Sequence, residues 1–133
     1  MLQKLNSRRG GFTLVEIMIV VAIIALLAAI AVPNFLRARK RSQATRVLED
    51  LRMIDSAIDQ YAIETNKTSN APVDWTDIQS YLKTGSALYN SGGTDLFGNP
   101  FGTFTVDTLP SVPPTTKTAL SDVAPDEFWS PFQ

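Results

Sequence analysis

The chemistry in this sequence is concentrated in residues 10–16, at the start of a long apolar run. Two adjacent glycines give a backbone that can extend into a protease site. Cleavage after Gly11 would leave Phe12 as a new N-terminus with a free ammonium group. Glu16 lies one helical turn further on, so its carboxylate could neutralise this ammonium or that of a neighbouring helix. Because an unpaired charge is costly in an apolar environment, we expect Glu16 to have such a partner.

The position of Glu16 also predicts a role in register. A staggered neighbouring helix brings its ammonium to Glu16 at only one axial offset. A buried polar group of this kind sets the register of a helical bundle, as it does in coiled coils.

Composition narrows the function class. The chain has 133 residues, enough for one domain, and its net charge of −1 gives no indication of a nucleic-acid partner. It contains no cysteine and no histidine, which excludes disulfides, thiol chemistry and a histidine-based catalytic triad. No nucleophile–base pair or phosphate-binding loop is present either, so the sequence predicts a protein that is not an enzyme.

The element that must position Glu16 is the apolar run itself. Residues 12–32 would form a helix of about 31 Å, which matches a hydrocarbon core of about 30 Å. Two other interpretations stay open. The segment could be an ordinary secretory signal peptide, because Ala29-Ile30-Ala31 fits the small-x-small rule for signal-peptidase cleavage. A plain membrane anchor explains the length and leaves Glu16 unexplained.

Residues 8–33 resemble the leader and N-terminus of type IV pilins and of type II secretion pseudopilins. The resemblance is carried by a basic leader, a Gly-Phe-Thr-Leu-x-Glu core, an aliphatic run and Pro33. It implies that residues 1–11 are a leader peptide, removed by a prepilin peptidase between Gly11 and Phe12. It also implies that the Phe12 amine is N-methylated and that Glu16 pairs with the Phe12 terminus of an adjacent subunit.

The resemblance implies a structural subunit of a type IV pilus-like filament, polymerised through a transmembrane and assembly helix at residues 12–33. Its expected partners are other copies of itself, the prepilin peptidase, the assembly machinery and inner-membrane lipid. We expect a single-pass protein of the bacterial inner membrane that then enters an extracellular pilus or a periplasmic pseudopilus. The alternatives are a major pseudopilin, favoured by residues 95–102 and the lack of a cysteine pair, and a signal-anchored soluble binding module.

A second helical half is predicted at residues 34–62. Pro33 should kink the helix or end it, since proline lacks the N–H donor and clashes with the preceding turn. Apolar residues then recur at three- and four-residue spacing, which indicates one buried face: Ala44, Val47, Leu48, Leu51, Ile54, Ile58 and Tyr61. A basic cluster near the start of this half would face lipid headgroups or form a solvated turn: Arg37, Arg39, Lys40 and Arg41.

Residues 63–133 are predicted to form a small head, which makes the fold α+β: a long N-terminal helix packed against a short helix and a small antiparallel sheet. Asp74 should cap a helix over residues 74–83. We expect a short strand at 103–108, a loop with three prolines over residues 109–118, and a second strand or an extended segment at 118–123. The aromatic C-terminus should be tied against the head.

Metal binding is predicted to be absent, with three weak candidates. Residues 95–101 are similar to a D-x-aromatic-G-N-P-aromatic segment of major pseudopilins and some pilins, and the resemblance implies that major pseudopilins bind calcium in a C-terminal loop. Oxygen ligands from Asp95, Asp122 and Asp126 would suit that ion. Solvated surface acids are the alternative interpretation.

Overall fold

The computed structural model describes residues 11–133, so most of the predicted leader lies outside the described part. The first element, α1, is a 52-residue helix over Leu14–Thr65. It passes through Pro33 without a break, so the alternative that the helix ends there is wrong. A proline removes a single hydrogen bond from a ladder of many, and the turns on either side keep the helix continuous. The kink at Pro33 stays a prediction.

The chain divides into two compact units, with the boundary between Leu36 and Arg37. In the first unit, every described residue is exposed. Its part of α1 is long and apolar enough to cross a membrane. A monomeric soluble protein rarely exposes a continuous apolar surface of this extent. This surface must therefore be covered by lipid or by other protein chains.

The second unit, residues 37–133, contains the hydrophobic core. The predicted stripe of α1 is confirmed: Ala44, Val47, Leu48, Leu51, Ile54 and Ile58 are buried, and Tyr61 is half-buried. Ala57, which was not predicted, is also buried. Head residues that complete the core include Val73, Ile78, Phe101, Phe104, Leu120 and Trp129. The three- and four-residue spacing places the stripe on one side of the helix, where the head covers it.

The sheet of the head has two short antiparallel strands, β1 at Pro72–Val73 and β2 at Phe104–Thr105. Pro72 is opposite Thr105 and Val73 is opposite Phe104. The strand predicted at 103–108 is confirmed, although it is shorter than expected. Its partner β1 lies outside the strands predicted from the sequence. Its pairing depends on residues about thirty positions away in the sequence, which local pattern does not reveal.

The second predicted strand, at residues 118–123, is wrong. Part of it belongs to a helix at Pro114–Ala119, and turns follow that helix. Pro114 is at the first helical position, where its missing N–H has no helical partner to lose. Leu120 N–H then donates to the Thr116 carbonyl, at 3.1 Å. Consecutive prolines, interpreted as a loop signal, here begin a helix.

The remaining elements are short. α2 spans Trp75–Gln79 and begins after Asp74 as predicted, although it ends before residue 83. α3 at Ala87–Asn90 was not predicted, so the helix at Pro114–Ala119 is α4. A 3-10 helix at Asp126–Trp129 precedes the C-terminus, where Trp129 and Phe132 are buried. The prediction that the aromatic C-terminus is tied to the head is confirmed.

Candidate assembly site at the start of the long helix

The N-terminus of α1 is capped by two reciprocal hydrogen bonds between Thr13 and Glu16. The Thr13 N–H donates to Glu16 Oε2 at 3.3 Å, and the Glu16 N–H donates to Thr13 Oγ1 at 3.2 Å. Because α1 begins at Leu14, Thr13 is the N-cap and Glu16 is the third helical residue. This is a capping box. Sequence reasoning missed it, although the Thr-x-x-Glu pattern is its signal.

The capping box determines where the Glu16 carboxylate lies. It holds the side chain back over the N-terminal end of α1, where the helix dipole favours a negative charge. A carboxylate has room for about four hydrogen bonds. Thr13 is its one hydrogen-bond donor among residues 11–133, and the side chain is exposed. The carboxylate is therefore oriented by its own helix and still open to a cation from outside.

The predicted cleavage site lies immediately before this cap. Gly11, Phe12 and Thr13 are outside α1 and exposed, with Phe12 81% exposed. Apart from the chain neighbours of Gly11, no residue in the described part of the chain has an atom within 4 Å of the position that a Gly11 Cβ would occupy. A larger residue at position 11 would therefore meet no clash with the described residues. Any requirement for glycine there must come from an enzyme that binds this peptide.

The apolar surface around the cap carries a single charge. From Leu14 to Leu36, Glu16 is the one ionisable side chain, and large apolar residues are 47–78% exposed. Residues of this kind include Val15, Ile17 and Leu27. The arrangement can thus offer one oriented anion at the end of a surface that needs to be covered.

Comparisons with known proteins match this same region. The model of the prokaryotic N-terminal methylation motif matches residues 6–32. The chain is 36% identical over 90 residues to the type IV major fimbrial protein FimA of Dichelobacter nodosus, covering 68% of this chain and 56% of FimA. It is 42% identical over 67 residues to the type IV major pilin protein PilA of Myxococcus xanthus, covering 50% of this chain and 30% of PilA.

A secretion protein matches over a longer stretch. The chain is 28% identical over 104 residues to the type II secretion system core protein G of Aeromonas hydrophila, covering 72% of this chain and 73% of that protein. The chain belongs to the type IV pilin and pseudopilin family. It spans about half the length of the curated relatives that it matches first. No solved structure gives a significant match.

The three weak metal candidates of this pilin-family chain lie in separate places. Asp122 pairs with Lys40 at 3.1 Å, and Asp126 pairs with Lys117 at 3.1 Å. Asp95 is buried inside the head. Within residues 11–133, no three acidic side chains come together as metal ligands. The structure therefore does not bring the three predicted aspartates into one site.

Asp95 instead accepts the hydrogen bonds that hold the turn at residues 95–99 together. Its Oδ1 accepts hydrogen bonds from the N–H groups of Phe97, at 2.9 Å, and Asn99, at 3.0 Å. Its Oδ2 accepts from the hydroxyl of Thr116, which also accepts from Asn99 Nδ2 at 2.8 Å. Gly98 completes the turn with a φ of +81°, a conformation that glycine adopts freely. Thus one carboxylate joins residues 95–99 to α4.

A second acid lies close to this junction. Burial raises the pKa of Asp50 above its ordinary value, Arg46 partly opposes that shift, and Glu49 and Asp95 add to it. Asp50, Arg46 and Asp95 line the same small pocket beside α1. The ionised form of Asp50 is therefore less favoured in the folded head than in the unfolded chain.

Proposed function

We propose that this chain is a prepilin, the structural subunit of a type IV pilus-like filament. Prepilin peptidase cuts it between Gly11 and Phe12, and the mature subunit polymerises through residues 12–33. The observation that carries the proposal is the capped Glu16: it is the one charge on the exposed apolar part of α1, Leu14–Leu36, and it is held beside the predicted new terminus.

Hydrolysis of the peptide bond between Gly11 and Phe12 consumes one water and produces a carboxylate and an ammonium. N-methylation of Phe12 keeps the positive charge. Because Glu16 is oriented by Thr13 and retains free acceptor positions, it can bind the Phe12 ammonium of an adjacent subunit without losing its cap. In surroundings with little water, such a pair is far less costly than either charge alone.

The exposed apolar part of α1 suits both states of the subunit, first in the membrane and then in the filament. Before assembly it spans the bacterial inner membrane once, with the apolar side chains in lipid. After extraction, other copies must cover the same side chains, because exposing one to water costs about 1.5–3 kcal/mol. The filament is then an extracellular pilus, and its partners are further copies, the peptidase and the assembly machinery.

A major pseudopilin of a type II secretion system is the second candidate function. Two observations favour it: the chain covers 73% of the Aeromonas core protein G, against 56% of FimA, and residues 95–101 form the compact turn around Asp95. In that case the filament is periplasmic. Electron microscopy of cells expressing the chain with its own assembly machinery separates the two, since surface fibres require a pilus.

A signal-anchored soluble binding module is the third possibility. Ala29-Ile30-Ala31 lies within the uninterrupted helix, so cleavage there by signal peptidase would cut the long helix in two, which argues against a cleaved, secreted form. Mass spectrometry of the mature N-terminus tests the proposal. A methylated Phe12 is expected, and a chain that starts at Val32 would show that signal peptidase had processed it.

A further inference from the structure

The basic side chains that follow the apolar segment do not form one uniform cluster. Arg37 and Arg41 are four residues apart on α1, so they lie on the same face. Both line a groove of about 370 Å³, together with Ala38, Asp122 and Val123. Arg39 is two residues from each, about 200° around the helix, and it is not part of the groove.

The one acid in the groove wall is already engaged. Asp122 accepts a hydrogen bond from Lys40 Nζ at 3.1 Å, and the two form an ion pair. Lys40, with a smaller contribution from Arg37, holds the pKa of Asp122 below its ordinary value. Within residues 37–133, neither Arg37 nor Arg41 forms an ion pair. The groove therefore presents two guanidinium groups whose charge is not matched by a carboxylate.

The position of the groove along the chain defines what it can meet. Arg37 is the first charged residue after Glu16, and no acid occurs between Glu16 and Glu49. Pro33, the last residue of the predicted membrane segment, lies four residues before Arg37 and eight before Arg41, which are rises of about 6 Å and about 12 Å along α1. Each headgroup layer of a bilayer is about 5–8 Å thick. When the apolar segment spans the membrane, Arg37 therefore belongs to the headgroup layer. Arg41 begins just outside that layer, and its side chain leans back toward the membrane because Cα–Cβ bonds tilt toward the helix N-terminus.

We propose that this groove binds the phosphate of an anionic phospholipid before assembly. A guanidinium group donates two parallel hydrogen bonds to phosphate oxygens, and two such groups on one helix face form a clamp. Anionic headgroups would also offset the positive charge of the basic cluster. The proposal rests on the proposed function only in requiring that residues 12–33 insert into a bilayer.

The test is native mass spectrometry of the full chain in non-ionic detergent, titrated with phosphatidylglycerol or phosphatidylcholine. We expect several-fold higher occupancy with phosphatidylglycerol. Arg37→Gln and Arg41→Gln should each lower it about fivefold, which is the usual effect of one basic residue at a membrane surface. Arg39→Gln is the matched control: it removes the same charge from the same segment and should change occupancy less than twofold.

Asp122→Asn gives an independent check, since it removes the acid from the groove and releases Lys40. Occupancy by phosphatidylglycerol should rise, and an unchanged or lower value contradicts the proposal. Circular dichroism of each variant verifies that the helix is intact.

Four other outcomes would overturn the proposal. Equal occupancy by the two lipids means that the groove does not select anions, and an equal loss in Arg39→Gln means a diffuse charge effect. Displacement of the lipid by millimolar inorganic phosphate means a site for free anions. Chain dimers that disappear in the two groove variants assign the groove to a second copy. Filament formation is scored separately in cells, so failure of this proposal is distinguishable from failure of the pilin function.

Discussion

The hydroxyl of Thr116 should be one of the most sensitive groups in the head. Thr116 is fully buried, and its hydroxyl donates to Asp95 Oδ2 while accepting from Asn99 Nδ2. Thr116→Val keeps the shape of the side chain but leaves Asp95 Oδ2 buried without this donor. A hydrogen bond to a charged group contributes about 1.5–3 kcal/mol. Asn99 is only part-buried, so water can replace its lost acceptor. We therefore expect a loss of about 2–3 kcal/mol in the free energy of unfolding.

Urea denaturation of the full chain in detergent measures this loss. Both tryptophans, Trp75 and Trp129, lie in the second unit, so their fluorescence reports on the head. Thr116→Ser is the matched control, because it retains the hydroxyl and removes one methyl group, at a cost of about 1 kcal/mol. The reasoning is refuted if Thr116→Val stays within about 0.5 kcal/mol of the natural chain, or if the serine variant is equally destabilised.

Three further predictions concern single positions. Gly11→Leu should leave an uncut precursor with an unchanged unfolding midpoint, because the position is open in the chain; a mature chain starting at Phe12 at normal yield would contradict the proposed site. Gly98→Ala should lower the free energy of unfolding by about 1–2 kcal/mol, because alanine is strained at a φ of +81°. Gly98→Asn should lower it less in the same urea assay, and equal losses would show that the left-handed turn is not the cause. The raised pKa of Asp50 means that its folded form binds a proton more readily than its unfolded form, so its contribution to stability falls as pH rises through the range above 3.8. Asp50→Asn should therefore match the natural chain at about pH 3 and be more stable at about pH 7, and a constant difference between the two pH values would argue against burial as the cause.

The parts of the fold that sequence predicted well are those set by local pattern over many residues. The length of α1 follows from the apolar run and from the stripe that runs from Ala44 to Ile58. The cap at Asp74 follows from side chains three residues apart, because Asp77 Oδ2 accepts from the Asp74 N–H at 3.0 Å.

The parts that failed depend on partners far apart in sequence. β1 and β2 have two residues each, and their pairing joins Val73 to Phe104. Residues of such short elements carry no periodicity from which a strand could be predicted. The role of Asp95 depends on Thr116, which is 21 positions later in the sequence. Thr116 lies in α4, where the prolines had led to the prediction of a loop. At the candidate site the missed feature is local: Thr13 and Glu16 have the spacing of a capping box, so their hydrogen bonds could have been predicted from the sequence.

Glu16→Gln tests the central claim most directly, because it separates charge from capping. The amide oxygen of glutamine can still accept from the Thr13 N–H, whereas the negative charge needed to bind the Phe12 ammonium of another subunit is gone. Thr13→Val is the matched control, since it removes the hydroxyl of the cap and keeps the charge, at a cost of about 1 kcal/mol in the first helical turn. The measurement is the yield of filaments by electron microscopy from cells in which both variants are processed to Phe12 and inserted in the membrane. The pairing account predicts that Glu16→Gln subunits accumulate in the membrane with few filaments, while Thr13→Val subunits still assemble. Filaments of normal yield and order from Glu16→Gln would contradict it.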